Sequence, residues 1–197
     1  MNRTARTLLL TALLTGSVTA AAPQPTTARA PGPAPAAAHP LPDAVWPLGP
    51  PRPAILHGWA PPASPYGPGH RGVDLAAPPG TPVRAAATGL VSFAGPVAGR
   101  GVLSLTLPAP PGATPLRTTY EPVRPLVPRG TEVRAGAIVA ETTAAGAASH
   151  CTRTCLHWGL RRGDTYLDPL TLLPPDRLRR PPSRLLPVID PLVTPPP

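Results

Sequence analysis

Two consecutive stretches of the sequence, Gly69-His70-Arg71-Gly72-Val73-Asp74-Leu75-Ala76 and Pro79-Gly80-Thr81-Pro82-Val83-Arg84-Ala85, carry most of the information about the fold. The first places a histidine and an aspartate four residues apart, and in extended or gently turned backbone this spacing brings both side chains to one face. The second places a glycine turn before another apolar run. Imidazole nitrogen and carboxylate oxygen both bind divalent cations. A metal ion shared by His70 and Asp74 is therefore one interpretation of this pattern, and a surface histidine with an incidental aspartate is the other.

Proline and glycine set the expected architecture, because the chain of 197 residues contains 36 prolines and 18 glycines. Residues that interrupt helices this often favour short strands joined by tight turns. Runs with strand character lie between turn signals, at residues 90–94, 102–107, 116–120, 137–141, 156–160 and 165–167. No stretch has a convincing helical period. We therefore predict an all-β fold built on a compact, mostly antiparallel sheet.

The chain divides into four segments. Arg3 and Arg6, a short apolar run and small residues predict a signal peptide over 1–22. A spacer rich in proline and alanine follows over 23–43, the β domain over 44–173, and a tail rich in proline and arginine over 174–197. The apolar run of the signal is too short to span a bilayer. We therefore expect a secreted protein without a stable membrane span after cleavage.

The charge of the chain narrows the range of partners. The formal net charge is +9, from 18 basic and 9 acidic residues, and every basic residue is an arginine. Such a protein is attracted to anionic polymers of the cell wall. Nucleic acid is not an expected partner, because the arginines are scattered and only three tyrosines, three tryptophans and one phenylalanine are available for stacking. No protein partner is indicated.

A second histidine extends the metal site. His157 lies in the probable core strand Cys155-Leu156-His157-Trp158-Gly159, where its imidazole points away from the face that carries Leu156 and Trp158. Two nitrogens and one carboxylate oxygen are a recurring catalytic zinc set, because they leave the fourth tetrahedral position open for water. His70, Asp74 and His157 are therefore candidate zinc ligands.

Several separated motifs occur in an order that resembles a known family, the lysostaphin/LytM-type zinc metalloendopeptidases. They are the two stretches quoted first, Gly89-Leu90-Val91, Gly130-Thr131-Glu132-Val133-Arg134-Ala135-Gly136, and Leu156-His157 followed by Gly163 and Asp168-Pro169. The resemblance covers residues 47–173. It implies a barrel-like β-sandwich with a groove over zinc, and His70, Asp74 and His157 as the zinc ligands. The implied substrate is peptidoglycan peptide, and the implied location is the cell wall.

The chain departs from the family pattern at two positions. Cys155 stands where the family has the first histidine of an HxH motif. Another catalytic histidine of the family follows a tyrosine, where this chain reads Thr119-Tyr120-Glu121-Pro122-Val123 without a histidine. Positioned proton-transfer groups contribute about 100- to 10,000-fold to such reactions. An active zinc endopeptidase and a catalytically silent wall-binding or regulatory module therefore both remain as interpretations.

Three side chains are candidate substitutes for the missing histidines. Glu121 is a candidate general base or simply an exposed charge, and His150 is a candidate that would enter the site from the loop before the last core strand. Tyr120 is either an oxyanion donor or a core residue.

Cys151 and Cys155 are the only cysteines. In an exported protein this spacing favours a disulfide. The alternatives are a thiolate ligand from Cys155 and a reactive catalytic thiol.

Overall fold

A computed structural model describes residues 40–64, 67–144, 151 and 154–179. The predicted signal peptide, most of the spacer, most of the tail and His150 lie outside the described residues. The strands are β1 Ile55–His57, β2 Gly72–Ala76, β3 Pro82–Arg84, β4 Gly89–Val97, β5 Arg100–Thr106, β6 Leu116–Glu121, β7 Val123–Pro125, β8 Glu132–Val133, β9 Ile138–Thr142, β10 Cys155–Arg162 and β11 Thr165–Leu167. A 3-10 turn, Pro169–Leu172, and a short helix, α1 Pro175–Leu178, follow them.

The strands form two antiparallel sheets. The larger sheet has the order β1-β2-β10-β6-β5-β4-β8, and β11 adds to β10. The smaller sheet has the order β3-β9-β7. The prediction of an all-β, mostly antiparallel fold is confirmed. Among the described residues, no helix is both long enough and apolar enough to cross a membrane.

The central strands of the larger sheet separate a core face from a polar face. On β10, Leu156, Trp158 and Leu160 are buried in the core, whereas His157 and Arg161 remain partly accessible on the other face. This alternation follows from the two-residue period of a strand. Trp158 is fixed in the core because its Nε1–H donates a hydrogen bond of 2.8 Å to the Thr118 hydroxyl. The polar face of the sheet therefore lies opposite a layer of packed apolar side chains.

The folded unit extends past both ends of the predicted domain, 44–173. At the amino-terminal side, the backbone N–H of Leu41 donates to the Leu172 carbonyl at 2.9 Å. At the other end, the Trp46 indole N–H donates to the Arg177 carbonyl at 2.8 Å, and Leu178 packs against the core. The apolar side chains at these two ends belong to the domain because they cover its core.

Tyr120 is a core residue. Its side chain is completely buried, and its hydroxyl oxygen accepts a hydrogen bond of 2.8 Å from the backbone N–H of Ala86. Tyr120 lies on the core face of β6, and its hydroxyl does not line the cavity described below. The structure thus corrects the catalytic interpretation of Tyr120 in favour of packing.

Burial of Tyr120 predicts a loss of stability at alkaline pH. Burial raises the pKa of the Tyr120 hydroxyl from 10.0 to about 12. Between these values the unfolded chain releases a proton that the folded chain retains, so the free energy of unfolding falls as pH rises. The expected loss is about 2 to 3 kcal/mol above the folded pKa. Lysine and cysteine side chains do not contribute in this pH range, because the chain has no lysine and both cysteines are oxidised.

Denaturant unfolding followed by tryptophan fluorescence between pH 9 and about pH 12 measures this loss. The variant Tyr120→Phe should be less stable at neutral pH by about 1 to 3 kcal/mol, because the buried Ala86 N–H loses its acceptor. It should also lose most of the alkaline dependence. A wild-type stability that stays constant across this window would contradict the assignment.

Candidate metal centre

The pairing of four neighbouring strands lines up one row of polar side chains. His57 on β1 is opposite Asp74 on β2, Asp74 is opposite His157 on β10, and His157 is opposite Glu121 on β6. Residues directly opposite each other in an antiparallel pair place their side chains on the same face, with Cβ atoms about 4.5 to 5.5 Å apart. The row therefore brings four chemically active groups to the polar face of the sheet.

The three predicted metal ligands converge at the centre of this row. The Asp74 Oδ1 atom lies 3.1 Å from His70 Nε2 and 2.8 Å from His157 Nδ1, and the two histidine nitrogens are 3.1 Å apart. His70 and Asp74 are buried, and the His157 side chain is 14% exposed. His70 reaches the site from the loop before β2 and is anchored there by a bridge to Ala60. The structure thus brings together residues that are 87 positions apart in sequence.

A backbone carbonyl fixes which nitrogen of His70 faces the centre. The Gly58 carbonyl lies 2.7 Å from His70 Nδ1, and since a carbonyl only accepts, Nδ1 must carry the proton. In the neutral ring Nε2 then presents its lone pair to Asp74 and His157. Metal-ligating histidines are commonly oriented in this way by a partner on the other ring nitrogen. A cation is the group that best satisfies three lone pairs directed at one point.

The donor set fits zinc. Zinc bonds to histidine nitrogen and carboxylate oxygen are about 2.0 to 2.2 Å long, which in a tetrahedron separates the donors by about 3.3 Å. The observed separations of 2.8 to 3.1 Å are close to this value. Three protein ligands leave one tetrahedral position for water or substrate. His70, Asp74 and His157 are therefore suited to hold a zinc ion of the catalytic kind.

His57 is a component of the site that the sequence analysis did not assign. Its ring stacks on the ring of His70, with centroids 4.2 Å apart and planes 6° from parallel. Its Nδ1 is 4.0 Å from Asp74 Oδ2, and its side chain is 62% exposed. His57 thus stands at the solvent edge of the donor cluster. Its position in the sequence, 13 residues before His70 and between prolines, gives no spacing signal that links it to the HxxxD motif.

Glu121 stands on the other side of the donor cluster. It lines the same cavity as His70 and His157, and its Oε1 is 3.8 Å from Arg100 Nη1. The Glu121 side chain is 21% exposed, so that it faces the cavity without projecting into bulk solvent.

The predicted disulfide between Cys151 and Cys155 is confirmed. Neither sulfur is therefore a thiolate, and among the described residues Glu121 is the predicted substitute base that lines the cavity.

Gly72 makes room for the ring of His157, and the structure predicts a large effect of filling this space. A Cβ atom on Gly72 would lie 2.6 Å from His157 Nε2 and 2.5 Å from the Trp158 carbonyl oxygen. Both distances are far inside van der Waals contact, so Gly72→Ala must displace the His157 ring or separate β2 from β10. We expect a stability loss of about 1 to 3 kcal/mol and zinc affinity lower by more than about tenfold.

Gly159→Ala is the matched control, because Gly159 on β10 is directly opposite Gly72 on β2. A Cβ atom there meets nothing closer than 3.8 Å. This variant should keep its zinc affinity and gain up to about 1 kcal/mol, because alanine restricts the unfolded chain more than glycine does. Thermal unfolding and zinc titration of both variants test the prediction. Equal behaviour of the two variants would show that Gly72 has no special role.

Comparison with known proteins identifies the family. The model of peptidase family M23 matches residues 68–169, about half of the chain. The chain belongs to peptidase family M23. The matched region includes the predicted ligands His70, Asp74 and His157, and the proposed resemblance to lysostaphin/LytM-type peptidases is confirmed.

Two curated relatives match part of this chain. An uncharacterised protein of Mycobacterium tuberculosis and one of Mycobacterium bovis are each 46% identical over 132 residues, which is 65% of this chain and 50% of the relative. The chain thus spans about half the length of the curated relatives it matches.

Two solved structures show the same fold. A zinc-containing peptidase from Vibrio cholerae is 25% identical, with a TM-score of 0.52, over 66% of this chain and 41% of that chain. The antimicrobial peptidase lysostaphin from Staphylococcus simulans is 26% identical, with a TM-score of 0.50, over 68% of this chain and 54% of that chain. These similarities support a peptidase-like role for this M23 domain.

Proposed function

We propose that the chain is an exported zinc metalloendopeptidase that cuts peptidoglycan peptides in the cell wall. The convergence of His70 Nε2, Asp74 Oδ1 and His157 Nδ1 within 3.1 Å of one another carries this proposal. His70 and His157 line an open cavity of about 910 Å³. Membership of family M23 supplies the reaction class, which is hydrolysis of a peptide bond.

Zinc bound by these three residues would lower the pKa of a coordinated water and polarise the scissile carbonyl. The Glu121 carboxylate accepts the proton of the attacking water, because Glu121 is directly opposite His157 on the same face of the sheet. Arg100, 3.8 Å from Glu121, holds that carboxylate in the cavity. His57 donates a proton to the leaving amine from the opposite end of the row. Glu121 and His57 thus take the roles of the two missing histidines.

Export and location at the wall are part of the same proposal. The signal-like segment over 1–22 and the disulfide suit an oxidising compartment. The net charge of +9 attracts the protein to peptidoglycan and other anionic polymers of the cell wall.

A second candidate function is a catalytically silent module that binds the wall or regulates other proteins. The observation in its favour is the absence of both usual catalytic histidines, one of which is replaced by Cys155 in a disulfide. In this alternative the zinc site and the cavity persist, and no bond is cut.

Hydrolysis of purified peptidoglycan separates the two functions. Full-length protein carrying about one zinc ion per chain is incubated with sacculi, and the appearance of new primary amines is measured. An active peptidase releases amines, stops when a chelator removes zinc, and recovers when zinc is returned. Zinc-loaded protein that sediments with the sacculi and releases no amine would favour the silent module.

A further inference from the structure

The charge of the cavity wall is strongly one-sided. Among the residues that the structure describes, five arginines and one glutamate line the cavity. The arginines are Arg71, Arg100, Arg117, Arg129 and Arg161. Arg100 lies 3.8 Å from the glutamate, Glu121, and the lining as a whole carries more positive than negative side chains. A cavity with walls of one sign concentrates ligands of the opposite sign.

Two of these arginines face each other at a defined distance from the metal centre. Arg117 on β6 is directly opposite Arg161 on β10, in the same register that pairs Glu121 with His157. Each arginine is four residues along its strand from the catalytic row, which corresponds to about 13 Å. The even spacing keeps the arginines and the catalytic row on one face of the sheet.

The arginine pair has incomplete charge compensation within the protein. Arg161 donates to Asp164 at 2.7 Å. Among the described residues, no carboxylate forms a salt bridge with Arg117, whose side chain is exposed. Like charges directly opposite each other on a sheet are destabilising. An anion placed between Arg117 and Arg161 would remove this repulsion.

The surface between the arginine pair and the metal centre suits an extended peptide. Gly159 and Thr119 are paired between the arginine pair and the pair of Glu121 and His157. Both residues are small and line the cavity, so they leave space for a ligand at this position. Phe93 and Val97 provide an exposed apolar wall on the β4 side. A polyphosphate chain has no groups for that apolar wall, whereas a peptide has both side chains and carboxylates. The planar fork of arginine matches a carboxylate with two parallel hydrogen bonds.

From this arrangement we propose that the cavity selects acidic peptides, with Arg117 and Arg161 binding a substrate carboxylate about three to four residues from the scissile bond. This inference rests on the proposed peptidase function and adds the substrate class. It assigns Arg117 and Arg161 as specificity residues. The carboxylate that they bind remains unchanged in the reaction.

The test compares one stem peptide in two forms, with its carboxyl groups free and with the same groups as primary amides. Full-length zinc protein should cleave the free acid with a kcat/KM about tenfold to a hundredfold higher than the amide, mostly through KM. Arg117→Gln should reduce this preference to less than about threefold by weakening the acid form alone. Arg134→Gln, on an exposed arginine outside the cavity, should leave the preference unchanged.

Binding measurements distinguish failure of this inference from failure of the proposed function. Equal cleavage of acid and amide peptides would overturn the inference and leave the peptidase intact. A second outcome is that neither peptide is cleaved, while calorimetry shows that the protein binds the acid form and not the amide form. If Arg117→Gln also abolishes binding of the acid form, the peptidase function is overturned and the inference is supported. Poly(glycerol phosphate) that binds in an Arg117-dependent way more tightly than the acid peptide would also overturn the inference.

Discussion

Asp74→Asn is expected to remove the proposed zinc binding and, with it, the proposed peptidase activity. The Asp74 carboxylate is the centre of the donor cluster, because its Oδ1 is 2.8 Å from His157 Nδ1 and 3.1 Å from His70 Nε2. It also supplies the only negative charge of the ligand set. An amide of the same shape keeps the packing and loses that charge, so the ion becomes unfavourable at a site that is 3% exposed. We expect zinc affinity to fall by more than about a hundredfold.

Metal analysis after dialysis and competition with a chromophoric chelator measure this change. Circular dichroism of the variant verifies that the sheet is intact. Asp176→Asn is the control, since Asp176 is an exposed acid on α1, and it should retain about one zinc ion. An Asp74→Asn protein that still holds zinc with unchanged affinity would show that the carboxylate is not a ligand.

Glu121→Gln is expected to produce the second large effect, on catalysis alone. Glutamine occupies the same volume opposite His157 but cannot accept a proton, so kcat should fall about 100- to 10,000-fold. Zinc content should stay the same, because Glu121 is not part of the ligand set. The rate at which amines are released from peptidoglycan, measured at equal zinc loading, gives the ratio of the kcat values of the wild-type protein and the variant.

Glu132→Gln provides the comparison for this variant. Glu132 is an exposed glutamate on β8 and lies outside the cavity that contains the metal centre. Its replacement should leave both zinc content and kcat within about twofold, as for other isosteric changes remote from a site. Undiminished activity of Glu121→Gln would assign the proton transfer to another group.

The convergence of His70, Asp74 and His157 could be predicted from sequence because two local signals mark these residues. The HxxxD spacing places His70 and Asp74 on one face, and the alternation around His157 separates it from Leu156 and Trp158. Several strands of the larger sheet, among them β5 and β10, could be predicted for the same reason, since their apolar and polar residues alternate. Family resemblance then linked His157 to a pair that lies more than 80 positions earlier in the chain.

The remaining parts of the site depend on long-range pairing, which has no local signal. β1 is short and all three of its residues are exposed, so no apolar pattern marks it, and His57 was left without a role. The position of Glu121 beside His157, and of Arg117 beside Arg161, follows from the register between β6 and β10. A shift of this register by one residue would move every side chain of the shifted strand to the other face of the sheet. The same register turned Tyr120 toward the core.

Zinc-edge anomalous diffraction from crystals of the full-length protein tests the central claim most directly. The account predicts a single strong anomalous peak bonded to His70 Nε2, Asp74 Oδ1 and His157 Nδ1, at about 2.0 to 2.2 Å from each, with a water in the fourth position. A zinc ion bound elsewhere, or a ligand set that omits any of these three side chains, would contradict it.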